Sequence, residues 1–266
     1  MKTIVITGST RGVGFHLAKS FLERGCNVVI CGRGQAGVDN AAKELLPPES
    51  VLGLVCDVSD EKDVRELYEA AVQKFGSVDI WIHNAGTSTI PVKFAEAPID
   101  EVQATIQTKI MGAAHSARVA IPQMMNQANG GAVYFVEGMG TRGDIQEGTI
   151  TLGAANNAVV YLMKGLMKEY KDTNIIFGGI RPGINITEHL IHGWEHLSAE
   201  RQARTKRIFN ILGDLPETTA PALADMILAN KKNGITIRWM TTGKIMMRFL
   251  TASFKKRNLF KDMEVK

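Results

Sequence analysis

Short apolar runs alternate along the chain with longer segments in which apolar residues recur every three or four positions. The short runs predict buried β-strands, and the longer segments predict helices that bury one face. Strands are predicted near residues 3–7, 27–31, 51–56, 79–83, 132–137, 174–180 and 235–239, and helices near 12–24, 38–46, 61–75, 99–125, 152–170 and 217–229. This alternation predicts a single-domain α/β fold: a doubly wound parallel sheet of about seven strands with helices on both faces.

A glycine-rich turn joins the first predicted strand to the first helix. The turn Thr7-Gly8-Ser9-Thr10-Arg11-Gly12-Val13-Gly14 follows the apolar run Ile4-Val5-Ile6. Gly8 can take a positive φ, Gly12 lets the backbone approach a pyrophosphate, and Gly14 lets the helix pack closely on the sheet. The N–H groups at the start of the helix would face the phosphates. The turn therefore predicts a Rossmann-type dinucleotide site contacted by residues 8–14.

Three further motifs follow later strands in an order typical of one family. They are Asp57-Val58 after the third strand, Asn84-Ala85-Gly86 after the fourth, and Pro182-Gly183-Ile184 with Thr187 after the sixth. With the glycine-rich turn, they resemble the short-chain dehydrogenase/reductase family over almost the whole chain. The resemblance implies that Asp57 meets the adenine of the cofactor. It also implies that the Pro-Gly segment lies along the nicotinamide amide and the phosphates.

The charges near the second strand favour NADP(H) as the cofactor. An NAD-specific site usually ends its second strand with an acidic residue for the ribose 2′-hydroxyl. Here the strand runs into Gly32-Arg33 with no carboxylate in reach. Arg11 and Arg33 could grip a 2′-phosphate from two sides, because the guanidinium fork suits phosphate. The alternative is that both are ordinary surface arginines.

The catalytic part of the chain departs from the family pattern. The family uses a Ser after the fifth strand, a Tyr-x-x-x-Lys on the following helix and an Asn on the long helix before that strand. Aligning the helix through its glycine and alanines places Leu152 at the Tyr and Asn156 at the Lys. The Asn position then holds Lys109. The Ser position holds Gly138, or Glu137 if the register slips by one.

Leucine has no proton to donate, so the usual mechanism cannot run through position 152. One interpretation is an atypical oxidoreductase whose acid is Glu137, Thr151, Lys109, water or the substrate. Thr151 is a poor acid, whereas burial would bring the pKa of Lys109 closer to neutrality. Because Lys109 and Asn156 are exchanged relative to the family, the ammonium could reach Asn156 or the cofactor ribose, or it could simply extend to solvent. The alternatives are an inactive cofactor-binding sensor, scaffold or partner protein, and non-redox chemistry on a bound ligand.

The C-terminal third also resembles the chlorophyll b reductase branch of the family. The similar segments are Phe209–Thr218, Leu250-Thr251 and Lys255–Arg257, together with Phe135–Gly140 at the Ser position. That branch uses NADPH on the formyl group of a large apolar tetrapyrrole, but it keeps the Tyr-x-x-x-Lys motif. The resemblance therefore implies a bulky, apolar small-molecule substrate rather than that particular activity.

Positive charge is concentrated at the C-terminus. Residues 231–266 contain ten Lys or Arg and two Asp or Glu, so their net charge is +8, and the remainder of the +4 chain carries −4. We expect a Rossmann domain over 1–243, with a substrate lid at about 184–216, and a basic amphipathic tail over 244–266. Residues 244–261 could pack on the domain or a partner subunit with solvated lysines, or contact an anionic membrane surface. No motif favours nucleic-acid binding.

The remaining features suggest a cytoplasmic protein without a metal. Cys26, Cys31 and Cys56 are odd in number and lie in or beside predicted strands, which is typical of reduced core thiols. No apolar run is long enough to span a membrane, and the early first strand leaves no room for a signal peptide. The lid contains three histidines without convincing metal-ligand context: His189, His192 and His196. Family habit implies a homodimer or homotetramer through helices 99–125 and 152–170.

Overall fold

Seven parallel strands form one sheet in the computed structural model, which describes residues 1–87, 90–141, 143–188, 190–191, 196–254 and 256–261. The strands are β1 Thr3–Ile6, β2 Asn27–Gly32, β3 Val51–Val55, β4 Ile80–His83, β5 Gly131–Val136, β6 Ile175–Arg181 and β7 Ile235–Arg238. Their order in the sheet is β3-β2-β1-β4-β5-β6-β7. The predicted α/β fold with a parallel sheet is confirmed.

Helices cover both faces of this sheet. They are α1 Gly12–Leu22, α2 Gln35–Glu44, α3 Glu61–Phe75, α4 Ile99–Ile106, α5 Gly112–Met125, α6 Ile150–Glu169, α7 Ala199–Leu212, α8 Pro216–Ala229 and α9 Thr242–Thr251. Short 3₁₀ helices occur at Pro48–Ser50 and Phe94–Glu96, and a π-helical segment, Gln107–Met111, joins α4 to α5.

Two apolar clusters form the core, one on each face of the sheet. Successive side chains of a strand point to opposite faces, so Ile4 and Ile6 belong to one cluster and Val5 to the other. The first cluster includes apolar residues of α1 and α8, and the second includes residues of α3, α5 and α6. Because both faces are covered, the central strands are apolar throughout, which is why they read as continuous hydrophobic runs.

The strand order places the predicted motifs in one crevice. The chain passes from β1 outward to β3, then returns to pair β4 with the other side of β1. Ligands of open α/β sheets bind outside the carboxyl ends of the strands at such a reversal. The glycine-rich turn follows β1 and the Asn84-Ala85-Gly86 turn follows β4, so the two motifs meet there.

The segment expected to be an irregular lid contains a helix. α7 has no buried residue, so its sequence carries little apolar periodicity and gave no helical signal. Ser198, whose hydroxyl accepts from the Arg201 N–H, caps its N-terminus and was the available sequence signal. The predicted long helix over 99–125 is also interrupted, by the π-helical segment.

The basic tail packs on the domain through its arginines. Arg248 and Arg257 each place a guanidinium nitrogen 2.8 Å from a carboxylate oxygen of buried Asp214. The N–H of Leu259 donates to the Asn210 side chain, and Phe260 is fully buried. The expectation of a packed tail concerned solvated lysines, and these two arginines differ from the lysines because they form ion pairs with a buried carboxylate.

Candidate active site

The glycine-rich turn has a conformation that side chains would obstruct. Gly8 and Gly12 have φ values of +61° and +60°, in the left-handed region that favours glycine. A Cβ on Gly8 would lie 2.8 Å from Ala85 Cα, and one on Gly14 would lie 2.7 Å from the Gly8 carbonyl oxygen. The backbone is thus open toward the crevice and closely packed behind it, as a pyrophosphate cradle at the start of α1 requires.

Side chains join the glycine-rich turn to the turn after β4. The Thr7 hydroxyl accepts from the backbone N–H groups of Asn84 and Ala85, both at 3.1 Å. In return, Asn84 Nδ2 donates to the carbonyl oxygens of Thr7 at 3.0 Å and Gly8 at 2.8 Å. Asn84 therefore holds the two turns together, which a sequence motif alone could not show.

Some predicted cofactor contacts point into the protein. The Ser9 hydroxyl donates to the Ile6 carbonyl at 2.6 Å and accepts from the Cys31 N–H at 3.1 Å, so this side chain fixes the turn from inside. Thr10 lies over the end of β2, where a Cβ on Gly32 would come within 2.7 Å of its methyl group. Val13 packs against the core. These residues can offer backbone atoms to a ligand.

The Pro182-Gly183 segment closes over the same turn. A Cβ on Gly12 would lie 3.5 Å from the Thr187 methyl group, so Thr187 stands directly beside the glycine-rich turn. Asn185, which the sequence reasoning missed, is buried and donates to the Pro182 carbonyl at 3.0 Å while accepting from the Thr219 hydroxyl at 2.8 Å. This buried amide fixes the curvature of the segment.

The part of the crevice beside the ends of β2 and β3 carries the predicted charges. Arg33 is exposed immediately after β2, and the exposed Arg11 guanidinium lies 3.2 Å from Glu188. Asp57 accepts from both the N–H and the hydroxyl of Ser59, so its carboxylate is oriented. Val58, the other member of that motif, is buried.

Lys109 turns inward from the π-helical segment toward the turn after β4. A Cβ on Gly86 would lie 3.0 Å from Lys109 Cε and 3.4 Å from its Nζ. The residue is half-buried, and this burial lowers the pKa of Lys109 to about 8. π-helical turns occur often at functional sites, and this one carries the cation into the crevice.

The imidazole of His83 is buried near this lysine. Its Nδ1 lies 3.2 Å from the Ser116 hydroxyl and 3.4 Å from the Thr7 hydroxyl. Burial, and then the positive charge of Lys109, lower the pKa of His83 to about 3. The ring is therefore neutral at physiological pH and adds no second positive charge beside Lys109.

Asn156 occupies the space in front of Gly138. The Asn156 amide is buried on α6, and its Nδ2 donates to the Met139 carbonyl at 2.9 Å. A Cβ on Gly138 would lie 2.5 Å from that nitrogen, so the two positions accommodate each other. Asn156 Oδ1 has no hydrogen-bond partner within the described part of the chain, where Lys109 and Asn156 also form no hydrogen bond. A buried acceptor without a partner is costly, which marks Oδ1 as a place for a ligand or water.

Both carboxylate oxygens of Glu137 already accept hydrogen bonds within the protein. One carboxylate oxygen accepts from Arg181 Nη2 and the other accepts from the Thr236 hydroxyl at 2.8 Å. These partners lie on β6 and β7, and a Cβ on Gly179 would overlap the carboxylate. Since both oxygens are used in a buried ion pair, the expectation of Glu137 as an acid is not supported by its geometry.

A small cavity adjoins the start of α6. Its volume is about 20 Å³, and Thr151 and Glu101 are among the polar residues that line it. The apolar lining comes from the loop after β4, from α4 and from the first turn of α6: Ile90, Val92, Phe94, Val102, Ile150 and Leu152. Thr151 thus faces this cavity, where Leu152 contributes an apolar wall.

Among the described residues, no three His, Cys, Asp or Glu side chains are grouped as a metal site. His189 and His192 lie outside the described residues, and His196 is exposed. Within the same ranges, no helix has the length and apolar character needed to cross a bilayer.

Comparison with known proteins finds a family model and relatives that are similar to most of this chain. The family model for "short chain dehydrogenase" matches residues 2–196. The probable chlorophyll(ide) b reductase NYC1, chloroplastic, of Arabidopsis thaliana is 29% identical over 279 residues, covering 98% of this chain and 55% of that protein. Chlorophyll(ide) b reductase NOL of the same plant is 34% identical over 237 residues, covering 87% of this chain and 66% of that protein. The chain therefore spans between about half and two thirds of the length of these relatives.

Solved structures show the same architecture. The 3-ketoacyl-(acyl-carrier-protein) reductase from Brucella melitensis, complexed with NADH, has a TM-score of 0.77 and 27% identity, covering 90% of this chain and 96% of that one. The NADPH-bound short chain oxidoreductase from Pseudomonas aeruginosa PAO1, whose description states an atypical catalytic center, has a TM-score of 0.76 and 24% identity, covering 91% and 97%. The second similarity is one of fold alone.

Proposed function

Because the chain belongs to the short-chain dehydrogenase/reductase family, whose members bind nicotinamide cofactors, we propose that it is an NADP(H)-dependent reductase of a bulky, apolar carbonyl compound. The observation that carries the proposal is the position of the half-buried Lys109 ammonium against Gly86, in the turn after β4. It supplies a titratable proton in a crevice where position 152 holds a leucine.

The crevice fits a nicotinamide dinucleotide. The left-handed glycines, the start of α1 and the Pro182-Gly183 segment form a backbone cradle that side chains would fill. Such a cradle suits a pyrophosphate, and oriented Asp57 suits the adenine. When bound, the cofactor supplies the hydride for carbonyl reduction.

The arginines support a preference for the phosphorylated cofactor. Arg11 and Arg33 border the adenosine side of the crevice, and β2 ends without a carboxylate. Glu188 pairs with Arg11, but both side chains are strongly exposed, so a 2′-phosphate can replace this carboxylate at little cost. Bidentate guanidinium contacts would then favour NADPH over NADH.

Lys109 is the proposed proton donor. Its pKa of about 8 keeps the ammonium largely protonated near neutral pH, yet close enough to neutrality to release the proton. The positive charge would also stabilise oxygen that gains negative charge during reduction. The unpartnered Oδ1 of Asn156 can accept from a bridging water or from the product hydroxyl. Lys109 would act as a catalytic residue and Asn156 as a ligand-positioning residue.

The apolar side chains at the start of α6 support the substrate class. The wall at Leu152 would be polar in an enzyme with a tyrosine there, whereas here it offers hydrocarbon contact. The relatives are named as chlorophyll(ide) b reductases, and reduction of a bulky apolar carbonyl compound is the part of that activity that we carry over to this chain.

We also propose a cellular compartment, an oligomeric state and a membrane contact for this protein. The three cysteines are buried and free, in keeping with a reducing compartment such as the cytoplasm. We further propose a homodimer or homotetramer, and contact of residues 244–261 with a membrane surface. Each of these statements is separable from the reductase activity.

Two parallel measurements test the proposal. NADPH binding is measured by calorimetry, and NADPH oxidation is followed against a panel of small and bulky aldehydes and ketones. We expect binding and turnover with bulky apolar carbonyl compounds, and loss of turnover with retained binding in Lys109→Met. Binding without turnover over the whole panel would instead support the alternative, a cofactor-binding sensor or partner protein.

A further inference from the structure

The C-terminal helix carries its charged side chains inward and its apolar side chains outward. On α9, Lys244 Nζ lies 2.8 Å from the centroid of the Trp239 ring, and Arg248 donates to Asp214. Surface helices of globular proteins usually show the opposite arrangement, with the apolar face toward the core. The inversion leaves outward side chains that are 53–88% exposed and that we call the apolar ridge: Met246, Met247, Phe249 and Leu250 on α9, and Phe254 three residues after it. Ile245 is the apolar residue of α9 that is half-buried.

The ridge is held in place by buried polar contacts. Asp214 is 2% exposed and accepts from Trp239 Nε1 at 2.6 Å and from Arg257 Nη2 at 2.8 Å. Arg248 Nη1 also donates to the carbonyl oxygens of Leu212 and Gly213, both at 3.1 Å. Because these bonds fix the inner face of α9, its apolar face cannot simply turn inward. Exposure of the ridge is therefore a property of the packed helix.

Basic side chains lie around the ridge. Lys256 and Lys261 are exposed in the segment after α9. That segment folds back along α7, where Asn210 accepts from the Leu259 N–H and Lys206 Nζ lies 5.8 Å from the Phe260 ring. α7 also carries exposed arginines, Arg204 and Arg207.

Charge complementarity distinguishes between two candidate partners for this surface, a second copy of the chain and an anionic membrane. A second copy of the chain would bring the same basic segment, with its net charge of +8 over residues 231–266, against an identical one. An anionic bilayer surface instead attracts these charges and accepts apolar side chains at the boundary between headgroups and acyl chains. We infer that the apolar ridge inserts into the surface of an anionic membrane, with the surrounding basic side chains at the headgroups.

This inference specifies the membrane contact included in the proposed function, and it does not require turnover. Insertion would place the protein beside the phase in which apolar carbonyl compounds dissolve. Its test uses the full chain, vesicles and no substrate, so failure of the reductase activity and failure of membrane binding are distinguishable.

Flotation with two kinds of vesicle tests the inference. One kind is phosphatidylcholine alone, and the other contains phosphatidylglycerol as well. We expect the protein to float with the anionic vesicles, and to do so less as salt is raised. The ridge variant, Phe249→Ser with Leu250→Ser and Phe254→Ser, should bind about tenfold more weakly or worse, because the inserting side chains are gone.

Matched variants control for general effects of the substitutions. Ile145→Ser removes a side chain that is 88% exposed outside the ridge, and should leave binding unchanged. Lys256→Gln with Lys261→Gln should weaken binding, whereas Lys231→Gln with Lys232→Gln, before β7, should have much less effect. NADPH affinity and the thermal unfolding midpoint confirm folding of each variant. Equal flotation of wild type and ridge variant, no flotation of wild type at low salt, or a ridge variant that instead loses self-association would overturn the inference.

Discussion

An ammonium that is partly removed from water destabilises a fold unless something compensates for its desolvation, and half-buried Lys109 has this character. Its pKa is lowered from 10.5 to about 8 by burial, with no carboxylate among the causes. Retaining such a group in a crevice beside Gly86 is expected where its charge is used. The same property gives a stability signature that can be measured without any substrate.

The free energy of unfolding should depend on pH through Lys109. Below about pH 8 both folded and unfolded states hold the proton, and the burial cost is present in full. Between about 8 and 10.5 the unfolded state binds more protons, so stability rises with pH. We expect Lys109→Met to be more stable than wild type by up to about 3 kcal/mol near neutral pH, with the difference shrinking as pH rises. Urea unfolding at several pH values measures this, and a pH-independent difference would contradict it.

Arg33 should determine much of the preference for NADPH. Replacing it by Asp removes a phosphate contact and supplies the carboxylate that NAD-specific sites use. We expect Arg33→Asp to lower NADPH affinity by about tenfold or more and to leave NADH affinity the same or higher. Calorimetry measures both, with Lys19→Asp, an exposed basic position on α1, as control. If wild type bound both cofactors equally, or Arg33→Asp had no effect, the NADP(H) assignment would be wrong.

At the scale of elements, helices and strands that bury apolar side chains could be predicted from the sequence. An exposed helix, and side-chain directions set by contacts with distant residues, could not. The strands and the predicted helices were found because two-sided or one-sided burial leaves a periodic trace. α7 was missed because it has no buried residue, and the inward direction of Arg248 was missed because its partner, Asp214, is 34 positions earlier. The cofactor motifs could be placed at the carboxyl ends of the strands. The inward direction of Ser9 could not be predicted, because it depends on a hydrogen bond from Cys31 on β2.

Asp214 should hold α9 against the rest of the protein. Asp214→Asn keeps the shape and an acceptor for Trp239, but leaves Arg248 and Arg257 without a negative partner. Because the carboxylate is buried, we expect a loss of about 3 kcal/mol in the free energy of unfolding and faster amide exchange in α9. Asp225→Asn, which removes the charge from an exposed carboxylate paired with Arg24, should lower stability much less than Asp214→Asn does. Unchanged exchange in α9 would contradict this role.

The family assignment is confirmed at the scale of the whole molecule, and the relationship extends further than the sequence segments indicated. The similarity to chlorophyll(ide) b reductases was expected in the C-terminal third and covers up to 98% of the chain. The sheet order and the solved structures agree on a single Rossmann-type architecture. Quaternary structure stays a prediction that rests on helices α4 to α6.

The outer face of these helices suits self-association. Tyr161 on α6 is 81% exposed, and Ile99 and Ile106 on neighbouring α4 are 65% and 40% exposed. Burial of these side chains between subunits would remove apolar surface from water. We expect light scattering to give a dimer or tetramer for wild type and smaller species for Tyr161→Glu, while Phe94→Glu, exposed outside these helices, keeps the wild-type mass. A monomeric wild type would contradict the expected assembly.

The most direct test of the central claim is the pH dependence of kcat for the best carbonyl substrate at saturating NADPH. If Lys109 donates the proton, kcat should be level at neutral pH and fall above about pH 8, about tenfold per unit, as the ammonium loses its proton. Lys109→Met should lose most turnover, by about 100-fold or more, while its NADPH dissociation constant stays within about threefold of wild type. A Lys109→Met variant that turns over at the wild-type rate with the same pH profile would contradict the account.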